Sequence, residues 1–141
     1  MQDKVFAIRL RAFQTSCRTY LRQKEEVKKL LKVYPDLKNY VQVADDEGRM
    51  TMVLPKRKTD CTVPFQLIVL YRLRLENLFF VEKILDKIQE KYGDEAMNLV
   101  VDVFVMNMSQ ENAGKKINYS RRQVQTRFER ILKDVLEESY E

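Results

Sequence analysis

Hydrophobic side chains in the first quarter of the chain recur every three or four residues, which is the repeat of an amphipathic helix. The pattern predicts one helix from Lys4 to Tyr34. Its apolar positions are Val5, Ile8, Ala12, Phe13, Cys17, Tyr20, Leu21, Val27, Leu30, Leu31 and Tyr34. Pro35 ends this helix or starts a new turn, because proline has no amide hydrogen to donate. Asp36 could then cap a short helix that reaches about Val43.

A different pattern occupies residues 44–63, where an acidic turn precedes a short alternating segment and a basic tetrad. The alternating apolar residues are Val41 and Val43 before the turn, and Met50, Met52 and Leu54 after it. Such alternation indicates a short β-hairpin. A mobile loop is the favoured alternative, because two isolated strands are only marginally stable. Either structure separates an N-terminal segment, residues 1–43, from a larger helical body, residues 64–141.

The helical body starts with a long helix, Pro64 to Tyr92, that is apolar on nearly all sides and therefore deeply buried. Gly93 ends this helix, and Asp94 caps the next one. That next helix carries Met97, Leu99, Val100, Val103, Phe104 and Met106. With only 3 Gly and 3 Pro in 141 residues, the chain is predicted to be all-α, with a short β-hairpin as an open alternative in the insertion.

The composition excludes most kinds of enzymatic site. The chain has no His, which removes histidine acid–base catalysis, histidine-activated nucleophiles and histidine-ligated metals. The 2 cysteines, Cys17 and Cys61, form no CxxC motif and suit a reducing compartment. We expect no signal peptide and no membrane-spanning segment, because charges interrupt every apolar run. The prediction is a cytoplasmic, non-enzymatic protein without metal or cofactor.

Charge is distributed unevenly along the chain, although the net charge is only +5. Residues 1–33 carry 9 basic and 3 acidic side chains, and residues 114–133 carry 7 basic and 1 acidic, so each block has a net charge of +6. Dense positive charge is typical of proteins that bind polyanions, most often nucleic acid. A solvated basic helix face has the same composition. The N-terminal block could bind DNA, a polymerase or another protomer.

Residues 109–135 have the pattern of a helix-turn-helix. Ser109 is a favourable N-cap for a short first helix. The small residues Ala113 and Gly114 fall where a second helix could cross closely, and Asn118 tolerates the left-handed conformation of a tight turn.

The final helix is predicted to start after Ser120, a strong N-cap. Its apolar face consists of Val124, Phe128, Ile131, Leu132 and Val135. Arginine and glutamine side chains follow the cap at once, where the recognition helix of a helix-turn-helix pairs with base edges in the major groove. Lys115 and Lys116 lie on the turn, in reach of backbone phosphates.

The segment SQENAGKKINYSRRQVQTRFERIL resembles region four of bacterial sigma factors, and more specifically the sigma-like late transcriptional regulators of Gram-positive phages and prophages, the ArpU type among them. The matching positions are Met108-Ser109 at the opening, Ala113-Gly114 as the small pair, Ile117 to Ser120 at the turn, and Arg122, Val124, Arg127, Phe128 and Arg130 in the recognition helix.

The resemblance implies a sequence-specific DNA-binding activator that acts with host RNA polymerase on late phage genes. It implies base contacts from Arg121, Arg122, Gln125 and Thr126. It implies phosphate contacts from Lys115, Lys116, Ser120, Arg127, Arg130 and Lys133. The alternative function is a non-enzymatic helical protein-interaction module, or an inhibitor, acting on a host complex. A homodimer is a further hypothesis, based on the large apolar surface of residues 5–34 and 64–92.

Overall fold

The computed structural model describes residues 3–44 and 49–139 and consists of helices with one short hairpin. The α-helices are α1 (Asp3–Val33), α2 (Phe65–Tyr92), α3 (Asp94–Val100), α4 (Gln110–Lys115) and α5 (Arg121–Ser139). The remaining elements are 3-10 helices at Pro35–Asn39 and Lys58–Asp60, a π-helical segment at Val101–Val105, and the antiparallel strands β1 (Val41–Val43) and β2 (Met50–Met52). The all-α prediction with a short β insertion is confirmed. Within the described ranges, no helix has the length and hydrophobicity to cross a bilayer.

The sequence favoured a mobile loop in this region, but the structure contains a β-hairpin there, so that expectation is wrong. Its ladder extends beyond the strands, because the Ala44 amide donates to the Arg49 carbonyl at 2.6 Å. The expected helix up to Val43 is also wrong, since a 3-10 helix stops at Pro35–Asn39 and strand pairing then takes the backbone groups that a helix would use. The acidic turn between the strands, residues 45–48, lies outside the described residues.

The junction between α2 and α3 differs from the prediction by one residue. Gly93 occupies the N-cap position of α3, with a φ of 91° that suits glycine, and Asp94 is already the first helical residue. The Asp94 carboxylate instead accepts a hydrogen bond from the side-chain amide of Gln89, whose Nε2 atom lies 2.8 Å away. After α3 the backbone widens into a π-helical turn, in which the Met106 amide donates to the Val101 carbonyl, five residues earlier, at 2.9 Å.

The chain forms two compact units, and the division falls inside α1 and α2. The second unit, residues 20–80, contains the hairpin. Its buried apolar side chains include Val27, Leu37, Val41, Val63, Ile68 and Tyr71. Arg74 pairs with Glu26 at 2.8 Å, and the Asn77 amide donates to Gln23 at 2.6 Å, so polar contacts tie α1 to α2 within this unit.

The first unit, residues 1–19 and 81–141, is built around three phenylalanine rings. The Phe13 ring of α1 meets the Phe104 ring edge to face, with centroids 5.8 Å apart. Phe104 also lies 5.2 Å from the Phe128 ring of α5. Aromatic pairs at such distances add about 0.5–1.5 kcal/mol beyond simple burial. This cluster connects the N-terminal part of α1 to α5 through the π-helical segment.

Candidate nucleic-acid interface

The first helix of the candidate interface, α4, begins after Ser109 as the sequence predicts. It extends further than expected, because Lys115, predicted on the turn, is its last helical residue and Lys116 is its C-cap. The Ser109 hydroxyl accepts a hydrogen bond from the Asn112 amide at 3.1 Å, which satisfies one of the free amides at the start of the helix. Asn118 has a φ of 59°, the left-handed conformation expected for the turn. The Tyr119 amide then donates back to the Gly114 carbonyl at 2.8 Å, which closes the turn.

At Gly114, α4 comes close to the turn and to the start of α5. A Cβ atom placed on Gly114 would lie 2.5 Å from the Tyr119 carbonyl oxygen and 2.9 Å from Cγ2 of Val124. Real Cβ atoms essentially never approach other atoms so closely, so only glycine fits without a shift. Ala113 and Val124 are both buried beside it. The small-residue pair therefore sets the distance between the two helices, as expected.

Ser120 and Gln123 fix the start of α5 through a reciprocal capping box. The Ser120 hydroxyl accepts from the Gln123 amide at 3.2 Å, and the Gln123 side chain accepts from the Ser120 amide at 2.7 Å. The predicted apolar face is buried, and Leu136 extends it: its members are Val124, Phe128, Ile131, Leu132, Val135 and Leu136. Because this apolar face is buried, the opposite face of α5 is exposed to solvent.

The four proposed base-contacting residues are all exposed, and they form two pairs on α5. Arg121 and Gln125 are one turn apart, as are Arg122 and Thr126, and the two pairs lie about 100° apart around the helix. Arg122 and Thr126 line a cavity of about 550 Å³ together with Tyr92. Arg121 lines a separate cavity of about 530 Å³. The set thus spans about 140° of the exposed surface at the start of the helix.

The proposed phosphate contacts differ in how strongly they are held by neighbouring side chains. The ion pairs are Lys115 with Glu111 at 3.9 Å, Lys116 with Asp102 at 3.3 Å, and Lys133 with Asp3 and with Glu129, each at 3.7 Å. These lysines are partly or largely exposed, and exposed pairs contribute only about 0–1 kcal/mol, so a phosphate can replace the carboxylate. Arg130 is exposed and forms no ion pair within the described residues.

Arg127 is placed differently from the other basic residues of α5. Its Nη1 atom donates to Glu95 at 2.9 Å and to the Tyr119 hydroxyl at 2.7 Å, and its guanidinium lies 5.3 Å from the Tyr119 ring centroid. Three interactions on one half-buried side chain hold it against the turn. In this geometry Arg127 is held against Tyr119 and Glu95, unlike the exposed arginines at the start of the helix.

A polar cluster fastens the far half of α5 to the end of α2. The Tyr92 hydroxyl donates to Asp134 at 2.5 Å, and this hydrogen bond holds the pKa of Asp134 below its ordinary value. Lys91 contacts Glu138 at 2.6 Å, which raises the pKa of Lys91. The cluster holds the C-terminal half of α5 against the end of α2.

Two polar residues of α1 that the C-terminal pattern did not point to also border the interface. Gln14 and Arg18 line the same cavity as Arg121, together with Ser109 and Gln110. The only sequence signal for them is the excess of basic residues in α1. Within the described residues, no group of His, Cys, Asp and Glu has the arrangement of a metal site.

Comparison with protein-family models, with curated proteins and with solved structures gives no match to this chain.

Proposed function

We propose that the chain is a sequence-specific DNA-binding transcriptional regulator. The observation that carries this proposal is the close approach of α4 and α5 at Gly114, followed by a capped helix whose first half is exposed and arginine-rich. A helix-turn-helix uses that half of its second helix in the major groove. The resemblance of residues 109–132 to sigma region four extends the proposal to a cytoplasmic activator of phage or prophage late genes that works with host RNA polymerase.

The electrostatics of the start of α5 support an anionic partner. Arg121 and Arg122 occupy the first two helical positions, where their positive charge opposes the helix dipole at a cost of about 0.3–1 kcal/mol each. Neither guanidinium has an ion pair or hydrogen bond within the described part of the chain. A base edge or phosphate would supply the missing negative charge and acceptors. Arginine pairs bidentately with guanine and glutamine with adenine, which suits Arg121, Arg122 and Gln125.

The first experiment is a pull-down of sheared host and phage DNA with the full chain, followed by sequencing and repeated across a salt series. We expect a few strongly enriched sites and an affinity that falls steeply as salt rises, because each phosphate contact releases counterions. Uniform, weak binding that salt removes completely would contradict sequence-specific recognition. A protein partner would then be sought, in line with the protein-interaction alternative.

A charge-matched pair of variants separates recognition from generic attraction. Arg121→Ala/Arg122→Ala removes two positive charges from the start of α5, and Lys29→Ala/Lys32→Ala removes two from exposed positions of α1 in the second unit. The arginine variant is expected to keep or slightly raise its melting temperature, because its two charges oppose the helix dipole, and to lose the enriched sites, while the lysine variant keeps them. If both variants retained the same sites, α5 would not be the recognition helix.

A further inference from the structure

The N-terminal part of α1 runs antiparallel to α5 within the first unit. Near one end, Lys133 of α5 pairs with Asp3 at 3.7 Å and lies 5.4 Å from the Phe6 ring centroid. At the other end, Arg18 and Arg121 border one cavity. Along the way Phe6, Leu10 and Gln14 line a cavity with Gln125, Phe128 and Leu132. One edge of α1 therefore lies alongside α5 from Arg121 to Lys133.

The face of α1 next to this edge carries a regular row of positive charge, of which Arg18 borders the cavity shared with α5. Lys4, Arg11 and Arg18 are spaced seven residues apart, so they drift only about 20° per step around the helix and stand about 10.5 Å apart along it. All three are exposed. Within the described residues none of them forms an ion pair or a hydrogen bond. Their neighbours on the same side, Ala7 and Gln14, bring no negative charge.

Arg18 and Arg121 line one concave surface, and its composition points to an anion. The other polar side chains around the cavity are Gln14, Asn107, Ser109, Gln110 and Glu111. The single carboxylate, Glu111, lies 3.9 Å from Lys115, so its charge is shared with that lysine. Two like-charged guanidiniums beside one cavity repel each other unless an anion lies between them. Arginine is the side chain best suited to hold a phosphate there, because its fork can donate two parallel hydrogen bonds.

We propose that α1 forms one wall of the DNA interface: Arg18 and Arg11, extended by Lys4, bind the phosphates of the strand that lies beside Arg121 and Gln125. This inference rests on the proposed function, and it adds a second element to a recognition otherwise confined to residues 109–135. Charge complementarity selects the occupant, since a row of arginines and a lysine along a groove-binding helix matches a sugar-phosphate backbone. These contacts hold the duplex in register without distinguishing its sequence.

The test measures binding of the full chain to a fluorescent 40-base-pair duplex of mixed sequence between 50 and 200 mM salt. Arg11→Ala/Arg18→Ala is compared with Arg11→Lys/Arg18→Lys, which keeps the charge, and with Lys29→Ala/Lys32→Ala, which removes equal charge elsewhere. Each phosphate contact contributes about −0.9 to the slope of log affinity against log salt. Two lost contacts should reduce the slope by about 1.8, so the ratio of variant to wild-type Kd should shrink about 12-fold over this salt range.

The outcomes distinguish this inference from the function on which it rests. A reduced slope for the double alanine variant, with the lysine pair and the control close to wild type, supports the α1 wall. If Arg11→Ala/Arg18→Ala binds like wild type while Arg121→Ala/Arg122→Ala loses binding, the α1 wall is wrong and the proposed function stands. An equal reduction in the control would show generic charge attraction and would also overturn the α1 wall. If wild type binds no DNA at any salt, both proposals fail.

Discussion

Substituting Gly114 by alanine tests whether the close approach of α4 and α5 is a steric requirement. The added methyl group would meet the Tyr119 carbonyl oxygen at 2.5 Å and Val124 Cγ2 at 2.9 Å. The Tyr119 carbonyl shares its peptide plane with the Ser120 amide, which donates to the Gln123 side chain at 2.7 Å, so the carbonyl cannot rotate away without disturbing this capping box. Overpacking of this kind costs about 1–3 kcal/mol. Replacing glycine inside a helix returns up to about 1 kcal/mol through helix propensity.

The net expectation for Gly114→Ala is a loss of about 1–2 kcal/mol, equivalent to roughly 2–8 °C in melting temperature. Thermal and urea unfolding followed by circular dichroism would measure it. Asn112→Ala is the matched control, because Asn112 is exposed on the same helix and its side chain has no such contact; this variant should be neutral or slightly more stable. If Gly114→Ala were as stable as wild type, the two helices would not be held at the described distance, and the case for a helix-turn-helix would weaken.

Three further predictions concern the cap, the thiols and the polar cluster. Ser120→Ala should cost about 0.5–2 kcal/mol of unfolding free energy and Ser120→Gly only a few tenths, measured in urea; equal losses would contradict a capping role. Burial raises the pKa of Cys17 to about 12, so a thiol reagent at pH 8 should react first with partly exposed Cys61 and reach Cys17 only on unfolding; two equally fast phases would contradict this. The pKa of Asp134 is lowered in the folded protein, so the ionised carboxylate stabilises the fold. This contribution to stability is complete above the ordinary pKa of 3.8 and is lost as the pH falls through the lower pKa of the folded state. Tyr92→Phe should therefore flatten the acid side of the melting-temperature profile, and an unchanged profile would show that this hydrogen bond is not the cause.

The long helices could be predicted to within one residue at each end. The expected bounds Lys4–Tyr34 and Pro64–Tyr92 compare with Asp3–Val33 and Phe65–Tyr92 in the structure. In these segments the apolar spacing typical of a helix is repeated many times, so the prediction does not depend on any single residue. The hairpin strands have 3 residues each and little local signal. What holds that region includes a long-range chain of hydrogen bonds around Thr62, which no local pattern reveals.

The local features of the candidate site could also be predicted from the sequence. Ser109, Ser120 and the left-handed Asn118 each act on residues within a few positions of themselves, so residue type is enough to predict them. The surroundings of the charged side chains could not be predicted in this way. Arg127 is held by a carboxylate 32 positions earlier in the chain, and Arg18 meets the cavity of Arg121 from the opposite end of the sequence. Such neighbours depend on how helices pack, and spacing along the chain does not specify them.

The first unit is discontinuous in sequence, and this affects how it must form during synthesis. Phe13 emerges from the ribosome early, yet its aromatic neighbour Phe104 follows 91 positions later and Phe128 later still. At about 5–20 residues per second, the N-terminal part of α1 waits roughly 5–20 s for these rings. The second unit, residues 20–80, is contiguous and has all its contacts available sooner. The first unit is thus the last to be completed, and the apolar face of the N-terminal part of α1 is open to chaperones or to premature association until the final helix has been made.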